Sequence, residues 1–436
     1  MKPAVAAAAL LIAGALPAAG ASDRYPAASA SAVAAHVIAE PDDGAGLTGV
    51  QIFLPAGLER QTTANAGIAS LVAECVLQTP VKVQGATLTL EAAEMLVPAS
   101  VTYALDATSV HFYVESRPDR SEAAIALLHD ALARPDFSQP AIAAARKSLE
   151  NRSSDSEGNP FYVGAQMARR AYYLAGAGTS AYGSPASLDG LGPGDLQTFF
   201  TQNYRRGGLS AAIAGEPSEG AARAVAALGT ALPDGSAVAP DRRVAAISSN
   251  SLKRIVARRD IGAPLTVLGF AAPSPSSPQF GSMLVTQALI SSIFDQTDGT
   301  SPSAYQRTVQ SFYEYEAMPS SFVVIINGAR VDRTVGISEV LVLTKSLSKS
   351  KLEGANLDRA KAQARAWVLN STLNLNDRSY MLGALAGQGV GADALNAVLD
   401  DIDRVTAAGV QKTANDYLQK FIVAEVLPRG DRSGGG

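Results

Sequence analysis

A stretch in the middle of the chain is echoed at its end, and that duplication restricts the fold more than any other feature of the sequence. Leu191 to Gly215 reads as a short turn, then a helix carrying Leu196, Phe199, Phe200 and Tyr204, then a strand from Leu209 to Ala214 closed by Gly215. Ile402 to Pro428 repeats that order: the turn Ile402-Asp403-Arg404-Val405-Thr406, a helix with Val410, Ala414 and Tyr417, and a strand from Phe421 to Leu427 ending at Pro428. Leu196 and Tyr204 stand eight residues apart and Val410 and Tyr417 seven, so the copies are related without being identical in spacing. A doubling of this kind, with strands and a tail of helices in each half, implies two similar units rather than one continuous sheet. The 436 residues suit that number, at about 100–200 residues per domain.

Local patterns fill in the halves. His36-Val37-Ile38 and Val50 to Pro55 are β-prone, with turn chemistry at Pro41-Asp42-Asp43-Gly44 between them. Asn65 to Val76 has helical spacing, placing Ile68, Leu71, Val72, Cys75 and Val76 on one face, with Asn65 positioned as a cap and Pro80 beyond the end. Val101 to Leu105 and Val110 to Val114 are strands, followed by a helix capped at Ser121 and by helices from Pro140 to Arg152 and from Tyr162 to Leu174. The second half offers strands at Ile255 to Ala257, Leu265 to Phe270 and Phe322 to Ile326, and helices at Met283 to Phe294, Thr334 to Leu347 and Leu357 to Leu373. The expected fold class is therefore α+β. Two homologous domains, 31–235 and 253–428, each hold a mainly antiparallel sheet with helices on one face; a Pro- and Gly-containing linker, 236–252, joins them, and a disordered tail, 429–436, follows.

Composition narrows the function. Hydrophobic residues make up 47% and charged residues 17%, which excludes a disordered chain. Lys and Arg number 36 against 40 Asp and Glu, so no basic excess exists to neutralise phosphates and nucleic acid is not an expected partner. Cys75 is the single cysteine, which rules out an internal disulfide and a cysteine-based zinc knuckle; His36, His111 and His129 are the whole histidine supply. Residues 1–21 have the layout of a secretory signal peptide: Lys2, an apolar run from Ala4 to Ala18, and the small residues Ala19-Gly20-Ala21. Export to a periplasmic or secreted location is expected, with no membrane span in the mature chain.

Four segments carry a resemblance to a known family. They are Gly67-Ile68-Ala69-Ser70-Leu71-Val72-Ala73-Glu74; Leu127 to Phe137; Tyr182-Gly183 followed by Leu191 to Gly215; and Val405-Thr406 through Tyr417 to Pro428. In this order and spacing the chain resembles the pitrilysin/insulinase-type metallopeptidases, a family that includes mitochondrial processing peptidase and the core subunits of respiratory complex III. The resemblance runs from about Ala34 to Pro428. It implies two α+β domains facing each other like a clamshell, and, in single-repeat members, two chains paired around a chamber for unfolded peptides.

What the resemblance implies for chemistry is a loss. Active members carry H-x-x-E-H on a helix: two histidines one turn apart bind zinc, the Glu activates water, and a carboxylate from a later helix completes the site. Here Ser70 stands at the first histidine, Ala73 at the base and Glu74 at the second histidine, with Glu150 near the position of the distal carboxylate. Alanine cannot take a proton, and one hydroxyl with two carboxylates is a poor zinc set. Glu74 and Glu150 read as surface carboxylates left from a degenerate motif, and the three histidines as packed or surface residues. No metal is expected in this chain, and zinc only in a partner.

Active members also use an Arg and a Tyr seven residues on, in the second domain, to hold the substrate backbone. The matching stretch, Ser303 to Glu316, puts Val309 and Glu316 at those positions; Arg307 and Tyr315 are near misses, with Tyr313 between them, and the three are the candidate substrate contacts. The expected function is thus a catalytically inactive subunit that pairs with a zinc-bearing sister chain to form a chamber acting on peptides. The alternative is a structural or peptide-binding module acting as a homodimer.

Overall fold

A computed structural model describes residues 36–430, apart from the stretches 248–253, 296–307 and 315–318 and positions 43, 217, 238, 240, 241, 246, 329, 351, 389 and 392. The expected leader, most of the expected linker, the tail from 431, and both Arg307 and Tyr315 lie outside the described residues.

The first half contains strands β1 (His36–Pro41), β2 (Thr48–Leu54), β3 (Pro80–Val83), β4 (Ala86–Thr89), β5 (Ala99–Leu105), β6 (Val110–Ser116) and β7 (Ser210–Gly215). Its helices are α1 (Ile68–Leu77), α2 (Leu90–Ala93), α3 (Ser121–Ala133), α4 (Gln139–Gly158), α5 (Pro160–Tyr172), α6 (Pro185–Asp189), α7 (Pro193–Asn203) and α8 (Glu219–Leu228). The second half contains β8 (Arg254–Arg259), β9 (Leu265–Ala272), β10 (Thr308–Glu314), β11 (Ser320–Asn327) and β12 (Phe421–Pro428). Its helices are α9 (Phe280–Asp295), α10 (Arg330–Lys349), α11 (Gly354–Asn370), α12 (Leu375–Gly387), α13 (Ala394–Asp403) and α14 (Ala407–Tyr417).

The doubling seen in the sequence is a doubling of topology. One five-stranded sheet runs β1-β7-β2-β6-β5; the other, taken from the corresponding edge, runs β8-β12-β9-β11-β10. In each, the outer pair β1–β7 or β8–β12 is parallel and every other pair is antiparallel. The sheets are therefore α+β in the expected sense, mainly antiparallel with one parallel edge. Each packs one face on its own helices. Ile52, Phe112 and Val114 meet Leu71, Val72, Ile125 and Leu128 in the first half, and Phe270, Phe322 and Val324 meet Met283, Ala288 and Val410 in the second.

The other face of each sheet is covered by a helix from the opposite half. α5 and α12 hold the same place in their series, third after β6 and third after β11. α5 lies on β9, β11 and β12, where Val163 and Ala168 pack with Leu265, Val267, Val323, Ile325, Ala424 and Val426. α12 lies reciprocally on β2 and β7. This exchange explains why the central strands are buried on both faces, every residue of β2 included: a strand covered on two sides reads as a near-continuous apolar run rather than an alternation, broken in β2 by Gln51. Polar pairs cross the seam. Gln51 donates to Asn376 at 2.6 Å, Arg169 pairs with Glu314 at 2.8 Å, and Arg378 pairs with Glu40.

Several local expectations change. Asn65 does not cap α1; Gly67 does, at φ 93°, and its N–H and that of Ala69 donate to the Gln61 side chain. Only glycine adopts that backbone freely, and a Cβ there would meet Gly183 at 2.8 Å. Ser121 is the first residue of α3 rather than its cap, and its hydroxyl donates to the Arg117 carbonyl. α4 continues six residues past Arg152. Residues 308–314 form the edge strand β10, and 394–403 form α13, whose last two residues overlap the expected turn at 402–406. Within the expected linker, the chain at 243–245 hydrogen-bonds back to 172–174 and so is part of the packed structure.

Candidate functional site

The degenerate motif lies on α1, a helix buried along its whole length between the first sheet, α4 and α7. Its sequence IASLVAECVL has two polar residues, Ser70 and Glu74, and neither faces solvent. Ser70 Oγ donates to the Ala181 carbonyl at 2.6 Å. Ala73 is fully buried and brings no donor or acceptor to the site.

Glu74 is 4% exposed, which corrects the surface reading. A helical wheel places it opposite the apolar face of α1, but that opposite face is covered by α4 and by the strand β5. The carboxylate is held from both. Tyr103 on β5 donates its hydroxyl to Oε2 at 2.8 Å, and the Arg152 guanidinium on α4 lies 3.5 Å from the same oxygen. Arg152 also stacks over the Tyr103 ring, 5.0 Å from its centroid. Burial pushes the Tyr103 hydroxyl well above its ordinary value and the Glu74 charge adds to this, with Arg152 opposing, so the phenol stays protonated and acts as donor. Carboxylate, phenol and guanidinium thus form one closed cluster, a buried acid satisfied by a hydrogen bond and a cation.

Glu150 is exposed on α4, as expected, and the side chain that reaches Glu74 from that helix is Arg152, two residues further on. Glu150 lines a pocket of about 250 Å³ with Ser153, Ser154, Glu157, Tyr182, Ser184, Pro185 and Leu188. Tyr182 in turn stacks on Tyr162, ring centroids 6.1 Å apart.

A zinc ion does not fit this donor set. Of the motif positions, the Ser70 hydroxyl is engaged by a backbone carbonyl, Ala73 has no ligand atom, and the Glu74 carboxylate already faces a guanidinium cation. Among the described residues no group of three or more His, Cys, Asp or Glu is placed to hold a metal ion. Nor can the site move a proton at the base position, because alanine occupies it.

The remaining candidates are dispersed. Tyr313 lies in β10, 8% exposed, packed on Phe280 with its hydroxyl donating to the Pro273 carbonyl; it is a core residue rather than a substrate contact. His111, on β6, is sandwiched at the seam between halves, its ring 4.7 Å from Tyr380 and 5.5 Å from Phe53, with Nδ1 3.2 Å from Gln51. His129 bridges Asp130 and Thr230 on the first half's surface. His36 belongs to β1. Burial, with Asp136 and Glu74 adding to it, pushes the Cys75 thiol up to about 12, so it is not a thiolate nucleophile at neutral pH. Sequence reasoning missed Tyr103 and Arg152. The signal for the first was a tyrosine on an apolar strand, and for the second an arginine near the site's distal carboxylate, but nothing local joins either to Glu74.

Comparison with known proteins places this arrangement in a fold. No protein-family model and no curated protein sequence matches the chain. Solved structures do. A protease from Helicobacter pylori superposes with a TM-score of 0.76 at 12% identity, covering 90% of this chain and 97% of its own. The peptidase M16 inactive domain from Pseudomonas fluorescens gives 0.75 at 17%, covering 91% and 97%. A chain of complex III2 from Candida albicans, solved with Inz-5 bound, gives 0.72 at 13%, covering 89% and 93%. The chain has the two-sheet fold of M16-type peptidase chains, and does so over nearly its whole described length. The resemblance drawn from the sequence holds at the level of fold.

Proposed function

We propose that this chain is a non-catalytic subunit of pitrilysin type, exported through its N-terminal leader, that pairs with a zinc-bearing sister chain and forms one wall of a chamber acting on peptides. One observation carries the reading: the three motif positions are occupied by a hydroxyl engaged by the backbone, a methyl group and a carboxylate closed by Tyr103 and Arg152. The packing that makes the fold needs none of the lost ligands, so the shell persists while the chemistry does not. The similarity to a structure described as an inactive M16 domain supports the same reading. Zinc and the water-activating glutamate would come from the sister alone.

The test is co-expression with a neighbouring gene product that retains H-x-x-E-H. Co-elution of the two chains, with peptide hydrolysis by the pair exceeding that of the sister alone, is the expected result. Separate elution with a fully active sister contradicts the pairing. The likeness to a chain of complex III2 favours a second reading, a structural or peptide-binding module acting as a homodimer, and a stable homodimer without affinity for the sister would support it.

A further inference from the structure

A cavity at the N-terminal end of the motif-bearing helix α1 is lined by a charge that the described residues leave incompletely paired. It has a volume of about 540 Å³, within the range of small-molecule sites, and lies between the segment 59–65, the start of α1, the turn at 174–176 and α7. Arg60 lines it. That side chain is only 9% exposed, and its Nε, fully buried, meets no hydrogen-bond partner among the described residues. The nearest carboxylate, Glu59, is itself 4% exposed and already taken: Arg242 donates Nε to Oε2 at 2.8 Å and its terminal nitrogen to Oε1 at 3.1 Å. Arg60 approaches the same Oε1 only to 3.9 Å.

Two guanidinium groups therefore share one carboxylate, and the second has neither the distance nor the geometry of a fork-to-fork pair. Burial works against the Arg60 charge, Glu59 supports it and Arg242 opposes it. The other acid on the lining, Asp195, is exposed and accepts from the Gly192 N–H at 2.9 Å, so it belongs to the cap of α7. Ile68, Leu191 and Phe199 supply an apolar patch in an otherwise largely polar lining. A buried arginine whose donors are unfilled among the described residues, in a cavity that also holds an apolar patch, is complementary to a planar anion that carries a hydrocarbon group.

We propose that this cavity binds an organic carboxylate, its two oxygens held by the Arg60 guanidinium and its apolar substituent resting on Ile68, Leu191 and Phe199. The proposal does not rest on the pairing reading above, since it needs no sister chain.

Isothermal titration calorimetry of the full-length mature chain tests it, with N-acetyl-leucine, N-acetyl-leucinamide, inorganic phosphate, and a pentapeptide ending in leucine with free or amidated C-terminus. N-acetyl-leucine is expected to bind, and the leucinamide to bind roughly tenfold or more weakly, because it lacks the charged oxygen pair. Arg60→Met should weaken N-acetyl-leucine by a similar factor. Thr63→Trp, at an exposed lining position where folding is not at risk, should block it sterically and keeps the test valid if Arg60→Met does not fold. A free-acid peptide that binds more tightly than N-acetyl-leucine assigns the site to a chain end; equal affinity assigns it to a free acid, and both outcomes support the proposal. It is overturned if acid and amide bind alike, if neither binds at about 10 mM, if phosphate binds as tightly as N-acetyl-leucine, or if Thr63→Trp leaves the affinity unchanged.

Discussion

Glu74 is held by two neighbours of unequal exposure, and that inequality sets what each substitution costs. Tyr103 is buried, whereas the Arg152 side chain is 42% exposed and partly screened by solvent. Arg152→Met leaves a buried carboxylate with only a phenol for company and is expected to destabilise the chain by about 1–2 kcal/mol after allowance for that screening. Glu74→Gln removes the charge and keeps an acceptor for Tyr103, so its cost should be smaller, under about 1 kcal/mol. Urea midpoints of the two variants check the order, and an Arg152→Met chain as stable as the unsubstituted one contradicts it. A second residue gives a pH signature. Burial pushes His111 below its ordinary value of 6.5, with Asp106 opposing. The unfolded chain therefore takes up this proton at a higher pH than the folded one, and stability falls as pH drops below about 6.5. The urea midpoint should decrease between pH 7.5 and pH 5.5, and His111→Asn should flatten that decrease; an unchanged slope would mean that another group governs it.

At the scale of elements, the seam depends on close approach between helix and sheet. α12 passes Phe53 of β2 at Gly383, where a Cβ would stand 2.1 Å from the ring, and α5 passes Val267 of β9 at Gly164, where a Cβ would stand 2.6 Å away. Neither position has room for a methyl group. Gly383→Ala should destabilise the chain by about 1–3 kcal/mol through overpacking, despite alanine's better helix propensity, and a thermal midpoint equal to that of the parent would show that the ring can move aside. The same contacts show what was legible beforehand. Central strands such as Val50 to Leu54 and Leu265 to Phe270 declare themselves as apolar runs, and the helix over 65–76 by its spacing. The edge strand β10, with the sequence TVQSFYE, mixes polar residues into a short run and gave no such signal. Gly383 and Gly387 weaken the helical pattern of α12, yet Gly383 is what its docking requires. Gly67 displaced Asn65 as the cap because the deciding partner, Gln61, lies outside the helix and its turn. At the site, the loss of the base could be read from one residue, Ala73. The closure of Glu74 could not, because Tyr103 and Arg152 are joined to it only by the fold.

Across the whole molecule the two halves are copies that complete each other. Each sheet has its own helices on one face and a helix from the opposite half on the other, so the repeat seen at Leu191 to Gly215 and Ile402 to Pro428 is the trace of two units sharing one seam. The fold is that of M16-type peptidase chains, and the position at which the sequence resemblance places the water-activating base holds a methyl group beside a carboxylate paired with Arg152. Hydrolysis of an unfolded peptide substrate by the purified chain, without any companion and with and without a chelator, tests this most directly. The account predicts no cleavage above background in either condition, and chelator-sensitive cleavage that persists through purification to homogeneity would contradict it.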